Sequence, residues 1–296
     1  MSETEPSTES ARTAPRSHSR RTALVTGASS GIGEEYARQL ARRGYDLVLV
    51  ARRAQLIEEL ADDLAEQCGV SAAALPADLS DPGDVARLEE RLRADGTGDA
   101  APIDLLVNNA GTGGGGEFVR QDPDRVDAML DLNIRAVVRL ARAVLPVQIA
   151  RRRRAGLGEG DLPRMGVINV SSMAGELAAN PGGAVYGATK SFVRLWSESV
   201  ALEVAGHGVH VSAVLPGFVR TEMTRGVQRR SLPDIAFVAK ERIVSESLRA
   251  WAAGRTSVVP GQQYKTADGL LRLIPRSLFK TFARRSAYRE VQRELE

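Results

Sequence analysis

Short apolar runs alternate with longer amphipathic stretches from Arg21 onward. The runs have the length and composition of buried strands and occupy residues 23–26, 46–50, 72–75, 103–107, 167–170, 210–214 and 257–259. Between them, apolar residues recur at helical spacing over residues 34–43, 55–67, 85–93, 125–145, 191–204 and 243–252. This alternation predicts an α/β fold in which a doubly wound parallel sheet, the Rossmann fold, forms a single domain over residues 21–261.

A glycine-rich turn, Thr26-Gly27-Ala28-Ser29-Ser30-Gly31-Ile32-Gly33, follows the first predicted strand and leads directly into the first predicted helix. Glycine permits a tight turn and lets the backbone approach a phosphate group closely. The start of a helix adds free N–H groups and a partial positive charge. In this position, the T-G-x3-G-x-G spacing predicts a binding site for the pyrophosphate of a dinucleotide.

Tyr186 and Lys190 stand four residues apart, so they would share one face of a helix. A free tyrosine ionises near pH ~10, and a cation within a few ångströms typically lowers that pKa by about 1–3 units. Such a pair suits proton transfer. A lone Tyr-x-x-x-Lys is more often a solvated helical face, and the glycine turn upstream is what favours a redox enzyme.

Composition and charge narrow the class of protein. The chain has 296 residues, of which 43% are apolar and 26% charged, as in a soluble globular domain. Cys68 is the single cysteine, which excludes a disulfide framework and fits a cytoplasmic protein. Although the net charge is +3, residues 262–296 alone contribute +4. The body is therefore nearly neutral, which argues against nucleic-acid binding.

Both ends of the chain differ from the body. Residues 1–20 are rich in Ser, Thr, Glu, Pro and Arg, which predicts a disordered leader rather than a secretory signal. No run is long enough to span a bilayer. Residues 262–296 form a basic amphipathic extension that could contact an acidic membrane surface, close over the substrate or pack on another subunit in a homo-oligomer. We favour packing on the protein itself, because Pro275 divides the apolar stretch.

The segment 151–164 contains four consecutive arginines followed by Gly156, Gly158, Gly160 and Pro163. This composition predicts a long loop that bulges from the surface before the fifth strand. The arginines are expected to form a solvated face rather than a binding site.

Several motifs occur together in a characteristic order. They are the Thr26 to Gly33 turn, Asn108-Asn109-Ala110-Gly111, Asn133, Ser171-Ser172, Tyr186-x3-Lys190 and Pro216-Gly217. In order and spacing the chain resembles the short-chain dehydrogenases/reductases over residues 21–261. Within that family it looks like bacterial members, because of the second-strand segment ending in Arg52-Arg53 and because of Thr221-Glu222-Met223.

The resemblance implies a catalytic group made of Asn133, Ser172, Tyr186 and Lys190. Tyr186 would exchange a proton with the substrate oxygen, and Ser172 would hydrogen-bond that oxygen. Lys190 would lower the pKa of Tyr186 and bind the nicotinamide ribose, while Asn133 would hold a water that links Lys190 to solvent. No metal is expected. Ser172 and Tyr186 are one residue further apart than is usual in the family, so the loop 176–183 is expected to be enlarged, and the adjacent Ser171 stays open as the alternative serine.

The resemblance also implies where a nicotinamide dinucleotide would bind. Asp78-Leu79 would contact the adenine, and Thr221 the carboxamide. The remaining expected cofactor residues are Thr26, Gly27, Ser29, Ser30, Gly31, Ile32, Gly33, Asn108, Ala110, Gly111, Tyr186, Lys190, Pro216, Gly217 and Val219. Enzymes that prefer NAD place a carboxylate after the second strand, whereas this chain has Ala51, Arg52 and Arg53. Arginine is a good donor to a 2′-phosphate, so NADP(H) is the expected cofactor.

Substrate class depends on residues 218–255, which in this family form a lid and pocket wall. Their apolar residues Phe218, Met223, Leu232, Ile235, Phe237, Val238 and Trp251 indicate an apolar ligand or, equally, contacts with the core. The resulting hypothesis is an oxidoreductase for a carbonyl or alcohol substrate. The alternatives are a 3-oxoacyl carrier reductase, which the segment 112–118 disfavours, and a catalytically silent NADP(H) sensor or scaffold.

Overall fold

The computed structural model describes residues 20–158, 160–161, 164–222, 233–275, 277–281 and 283–284. Seven parallel strands form its sheet, in the order β3-β2-β1-β4-β5-β6-β7. The strands are β1 (Thr22–Thr26), β2 (Asp46–Ala51), β3 (Ala72–Pro76), β4 (Leu105–Asn108), β5 (Met165–Val170), β6 (Val209–Val214) and β7 (Ser257–Val258). The predicted doubly wound parallel sheet is confirmed.

Helices cover both faces of the sheet. They are α1 (Gly31–Ala41), α2 (Ala54–Cys68), α3 (Pro82–Arg93), α4 (Pro123–Leu130), α5 (Ala136–Arg154), α6 (Ala184–Ala205), α7 (Lys240–Ala252) and α8 (Gln262–Leu273). One apolar core lies between the sheet and α1, α2 and α7, and a second lies between the sheet and α3, α5 and α6. The five central strands β2, β1, β4, β5 and β6 are almost entirely buried on both faces, which explains why they are continuous apolar runs in the sequence, whereas the edge strand β3 is only partly buried.

The strand order reverses between β1 and β4, the first strands of the two halves of the sheet. In open α/β sheets, ligands bind in the crevice beyond the carboxyl ends of the strands at such a point. The glycine turn follows β1, and the Asn108–Gly111 segment begins at the last residue of β4. Both motifs are therefore brought to the same crevice.

One predicted helix proved to be three elements. The apolar periodicity of residues 125–145 continues across α4, a five-residue π-helix (Asp131–Arg135) and α5. A π-helix inserts a residue into the helical repeat, and such insertions often occur at functional sites. Asn133 lies within this segment, and it is fully buried.

The prediction of a solvated arginine cluster was wrong for two of the four residues. Arg151 to Arg154 form the last turn of α5, not a loop. Arg151 pairs with the buried Asp104 at 2.8 Å. Arg152 is 1% exposed and donates to the carbonyl oxygens of Gly158 and Asp161. The guanidinium thus closes the turn after the helix by satisfying backbone carbonyls, a task that charge patterning does not reveal.

The expected lid divides into core and surface parts. Trp251 and Val238 are buried in the first core, so their apolar character reflects packing. Phe218 and Ile235 are exposed and remain available to a ligand. Met223 and Leu232 lie outside the described residues, as do residues 1–19 of the predicted leader, with Arg276, Phe282 and residues 285–296 of the extension. Among the helices that are described, none is long and apolar enough to cross a membrane.

We expect Arg152→Met to lower the free energy of unfolding by about 2–4 kcal/mol, because buried carbonyls lose charged donors. Arg153→Met is the matched control, since Arg153 is the exposed neighbour and should change stability by less than about 0.5 kcal/mol. Urea denaturation followed by circular dichroism measures both. Equal midpoints for the two variants would contradict the structural role of Arg152.

Candidate active site

The glycine turn is built for close approach. Gly27 has a φ of 67°, in the left-handed region that disfavours other residues. A Cβ atom on Gly33 would lie 2.2 Å from the carbonyl oxygen of Gly27, so only glycine fits where α1 meets the turn. Ser30 precedes α1, and its side chain makes no capping hydrogen bond. The backbone N–H groups at the positive end of α1 therefore fit a pyrophosphate.

Thr26 and Asn109 fix the turn to the end of β4. The Thr26 hydroxyl accepts hydrogen bonds from the backbone N–H groups of Asn109 and Ala110, both at 3.0 Å. The Asn109 side-chain amide donates in return to the carbonyl oxygens of Thr26 and Gly27, at 2.9 and 3.3 Å. These reciprocal bonds set the width of the crevice between β1 and β4.

The geometry distinguishes the two adjacent serines. The buried Ser171 hydroxyl donates to the backbone carbonyl of Lys190 at 2.6 Å, so it serves the packing of α6. The Ser172 side chain instead hydrogen-bonds the Tyr186 phenol and accepts from the backbone N–H of Ala174 at 3.1 Å. Ser172 is therefore the serine that faces the phenol.

Tyr186 and Lys190 lie in the first two turns of α6 and face the end of β5. The Lys190 Nζ is 5.9 Å from the centre of the Tyr186 ring and donates to the carbonyl oxygen of Val170 at 2.9 Å. Burial lowers the pKa of Lys190 to about 8. Burial also raises the pKa of Tyr186, and the hydrogen bond with Ser172 opposes this only in part. Lys190 is not among the causes of this shift, so the expected lowering of the Tyr186 pKa by Lys190 was wrong, and the phenol stays protonated at neutral pH.

Asn133 is held rigidly beside this pair. Its Oδ1 accepts from the N–H of Thr112 at 2.9 Å, and its Nδ2 donates to the Thr112 carbonyl and the Thr189 hydroxyl, at 2.9 and 3.2 Å. A Cβ atom placed on Gly111 would lie 3.2 Å from the Asn133 Oδ1 and 3.3 Å from the Lys190 Nζ. Asn133, Gly111 and Lys190 are thus brought together at the crevice.

The two arginines after β2 differ in their surroundings. Arg53 donates from its Nε and one terminal nitrogen to the Ser29 hydroxyl, and from that nitrogen also to the Ser30 hydroxyl. Its other terminal nitrogen pairs with Glu222 at 3.2 Å. Arg52 is 74% exposed and lies 3.7 Å from Asp78. Arg53 is therefore hydrogen-bonded to the glycine turn, whereas the exposed Arg52 lies at the rim of the crevice beside Asp78, the predicted adenine contact.

Asp78 is held as a carboxylate. Its burial alone would raise its pKa, but hydrogen bonds from Ser80 and the nearby Arg52 outweigh that effect, so the pKa of Asp78 is lowered. The adjacent Leu79 is buried in the second core, which directs its side chain away from the crevice.

Asn108, Ile32 and Val219 are likewise less accessible than expected. The buried Asn108 amide donates to the Asn169 side chain at 2.9 Å, so it joins the interior rather than the crevice. Val219 is buried and Ile32 packs against the first core. Pro216 accepts from the N–H of Met173, which ties the Pro216-Gly217 turn to the residue after Ser172.

Thr221 lies close to Gly31 of the glycine turn. Its Cγ2 would be 3.2 Å from a Cβ atom on Gly31. Four further residues contact predicted site residues, although no role was expected for their side chains. They are Asn109, Thr112, Thr189 and Glu222. Asn109 and Glu222 each lie inside a motif, which offered a signal, whereas Thr112 and Thr189 act only through contacts that the sequence does not reveal.

The family model described as short chain dehydrogenase matches residues 21–231. Over 214 residues, 72% of this chain and 75% of the relative, the sequence is 38% identical to the oxidoreductase UcpA of Escherichia coli K12. The protein therefore belongs to the short-chain dehydrogenase family and is an oxidoreductase.

Solved structures agree with this assignment. A short-chain dehydrogenase from Sphingobium yanoikuyae in complex with NADPH is similar with a TM-score of 0.71 and 36% identity, over 85% of this chain and 94% of that one. An alcohol dehydrogenase from Comamonas testosteroni, specific for bulky-bulky ketones, is similar with a TM-score of 0.67 and 34% identity, over 86% and 95% of the two chains.

The pKa of Lys190 predicts a pH dependence. Lys190 is charged below about pH 8 and neutral above it, so a bond from its ammonium to a ligand weakens as the pH rises. We expect NADPH affinity to fall about tenfold between neutral and alkaline pH, as a charge-assisted hydrogen bond is lost. Titration of nicotinamide fluorescence measures this, and Lys190→Gln should bind weakly throughout. If NADPH affinity depended on pH in the same way in the wild type and in the variant, the expected bond between Lys190 and the cofactor would be contradicted.

Proposed function

We propose that this protein transfers hydride between NADP(H) and a ketone, aldehyde or secondary alcohol, with Tyr186 as the acid and base. The observation that carries the proposal is the convergence of Ser172, Tyr186 and Lys190 beside the glycine turn. Ser172 comes from the end of β5, and the other two come from the start of α6. A hydroxyl, a phenol and an ammonium meet here because the fold packs the start of α6 against the end of β5.

The three residues have different tasks in the proposed reduction. The Ser172 hydroxyl turns its hydrogen towards the carbonyl oxygen and stabilises the charge that develops there. Tyr186 donates its phenolic proton to the same oxygen. Its raised pKa suits this direction, because the proton is present at neutral pH. Bound NADPH supplies the hydride. The Lys190 ammonium, close to the phenol, offsets the negative charge that Tyr186 acquires and makes its re-protonation easier.

The cofactor assignment rests on the charge at the end of β2. Arg53 is already oriented by two serine hydroxyls that accept from it, which leaves their own hydrogens free to donate to a phosphate. A guanidinium and two hydroxyls are a good match for a 2′-phosphate. That the similar protein from Sphingobium yanoikuyae is in complex with NADPH supports the same choice here.

The substrate is proposed to have an apolar body. Phe218 and Phe237 pair with their ring centres 6.2 Å apart, and Ile235 is 75% exposed beside them. These side chains follow the Pro216-Gly217 turn, which is bonded to the residue after Ser172. The ketone specificity of the similar Comamonas enzyme is consistent with a bulky substrate. In a panel of NADPH-dependent reductions, a 3-oxoacyl thioester represents the rival substrate class.

A silent NADP(H) sensor is the alternative from another class. The presence of Asn133, Ser172, Tyr186 and Lys190 at one crevice favours catalysis, because sensing needs only the nucleotide site. NADPH consumption with the carbonyl panel separates the two, since a sensor binds NADPH and reduces nothing.

The absence of a spanning helix among the described residues is compatible with the cytoplasmic location we propose.

We expect Tyr186→Phe to lower kcat by about 10²–10⁴-fold, because the ring still packs but the transferable proton is gone. Its NADPH affinity should stay close to that of the wild type. Tyr45→Phe is the matched control, as Tyr45 is a buried phenol stacked under Arg21, away from the site. Near wild-type turnover in Tyr186→Phe would remove Tyr186 from the mechanism.

We expect Arg53→Ala to weaken NADPH binding by about 10–100-fold and to change NADH binding little, because charge-assisted hydrogen bonds to the 2′-phosphate are lost. Arg52→Ala is the control at the rim and should have a smaller effect, since Arg52 is exposed and paired with Asp78. Fluorescence titration with each nucleotide measures both. An unchanged NADPH/NADH preference in both variants would contradict the cofactor assignment.

A further inference from the structure

The C-terminal extension places one aromatic ring against the crevice. Tyr264 is the third residue of α8, and its ring lies directly over Gly217. A Cβ atom on Gly217 would come within 2.0–2.3 Å of three carbons of that ring. The contact is therefore possible only with glycine at position 217, and the sequence of the turn and the sequence of the extension are matched to each other.

The Tyr264 hydroxyl is also fully engaged. It accepts a hydrogen bond from the N–H of Phe218 at 2.9 Å and donates one to the carbonyl oxygen of Ala236 at 2.8 Å. The two chain segments that it joins also meet directly, through a parallel bridge between Phe218 and Phe237 and a bond from the Val238 N–H to the Phe218 carbonyl at 2.9 Å. One phenol thus fixes both sides of this bridge.

The ring is anchored from behind by a small apolar cluster. Met173, Ala213 and Leu215 form its buried part, and Val259, Tyr264 and Leu271 pack against them. Met173 follows Ser172, and its N–H is bonded to the Pro216 carbonyl at 3.0 Å. The position of Tyr264 is therefore coupled to Met173, which follows Ser172, and to the backbone of Gly217.

We propose that Tyr264 is a positioning residue for the nicotinamide end of the site. It holds the backbone of Gly217 and Phe218, which leads into Thr221. The bonds of Arg53 to the hydroxyls of Ser29 and Ser30, which serve the adenine end, do not involve Tyr264. The inference rests on the proposed NADP(H) function and assigns the C-terminal extension a part in it. Loss of the phenol should consequently affect one half of the nucleotide site and spare the other.

Binding of two nucleotides tests this division. The probes are NADPH and 2′,5′-ADP, which carries the adenine end and the 2′-phosphate without the nicotinamide. For Tyr264→Phe in the full-length protein, calorimetry should show an unchanged Kd for 2′,5′-ADP and a Kd for NADPH raised about tenfold, the size expected for one or two lost hydrogen bonds. Thr266→Ala is the matched control, because its hydroxyl donates to the carbonyl oxygen of Gln262 within α8.

The outcomes separate the inference from the proposed function. Equal loss of affinity for both probes, or for neither, would overturn the positioning role while the cofactor assignment stands. A wild-type protein that binds neither probe would defeat the cofactor assignment and the inference with it.

A second pair of variants tests the contact itself. Gly217→Ala should weaken NADPH binding because the new methyl group displaces the ring, and Tyr264→Ala should weaken it because the support is lost. If Tyr264 acts through Gly217, the double variant binds NADPH no more weakly than the worse single variant. Losses that multiply in the double variant would show that the two residues act independently and would overturn the proposal.

Discussion

Lys190 is hydrogen-bonded to the end of β5 through both its side chain and its backbone, and the active site depends on this docking of α6 against the strand. Its ammonium donates to the carbonyl of Val170, the last residue of the strand, while its own backbone carbonyl accepts from Ser171, the next residue. Helix α6 is thereby fixed in rotation and in height against the sheet. Ser172, one residue further on, then meets the phenol of Tyr186, one helical turn before Lys190.

This docking requires burial of a cation, and the burial has chemical consequences. A buried ammonium is disfavoured, which lowers the pKa of Lys190 to about 8 and brings its loss of charge near the physiological range. The same dry surroundings raise the pKa of Tyr186. The free site therefore keeps a protonated phenol, which is the form that the proposed reduction needs. The hydrogen bond with Ser172 is what favours the ionised phenol that the reverse reaction needs.

Local patterns in the sequence predicted the sheet, the glycine turn and the Tyr186/Lys190 pair, because periodicity and i, i+4 spacing express local geometry. The fold and the family are confirmed. The catalytic and cofactor roles of individual residues stay predictions. The sequence could not predict that Arg152 is buried or that Asn108 joins the interior, because their partners lie on other elements. Tyr264 was missed for the same reason, since its partner Gly217 precedes it by a long stretch of chain.

Isotope transfer measures whether hydride passes from NADPH to a carbonyl carbon at this site. The protein would be incubated with NADPH deuterated at C4 of the nicotinamide, one C4 epimer at a time, and a panel of bulky ketones. Mass spectrometry of the products would locate the label. We expect deuterium on the carbinol carbon from only one of the two C4 epimers. Tight NADPH binding with no labelled alcohol from any member of the panel would contradict it.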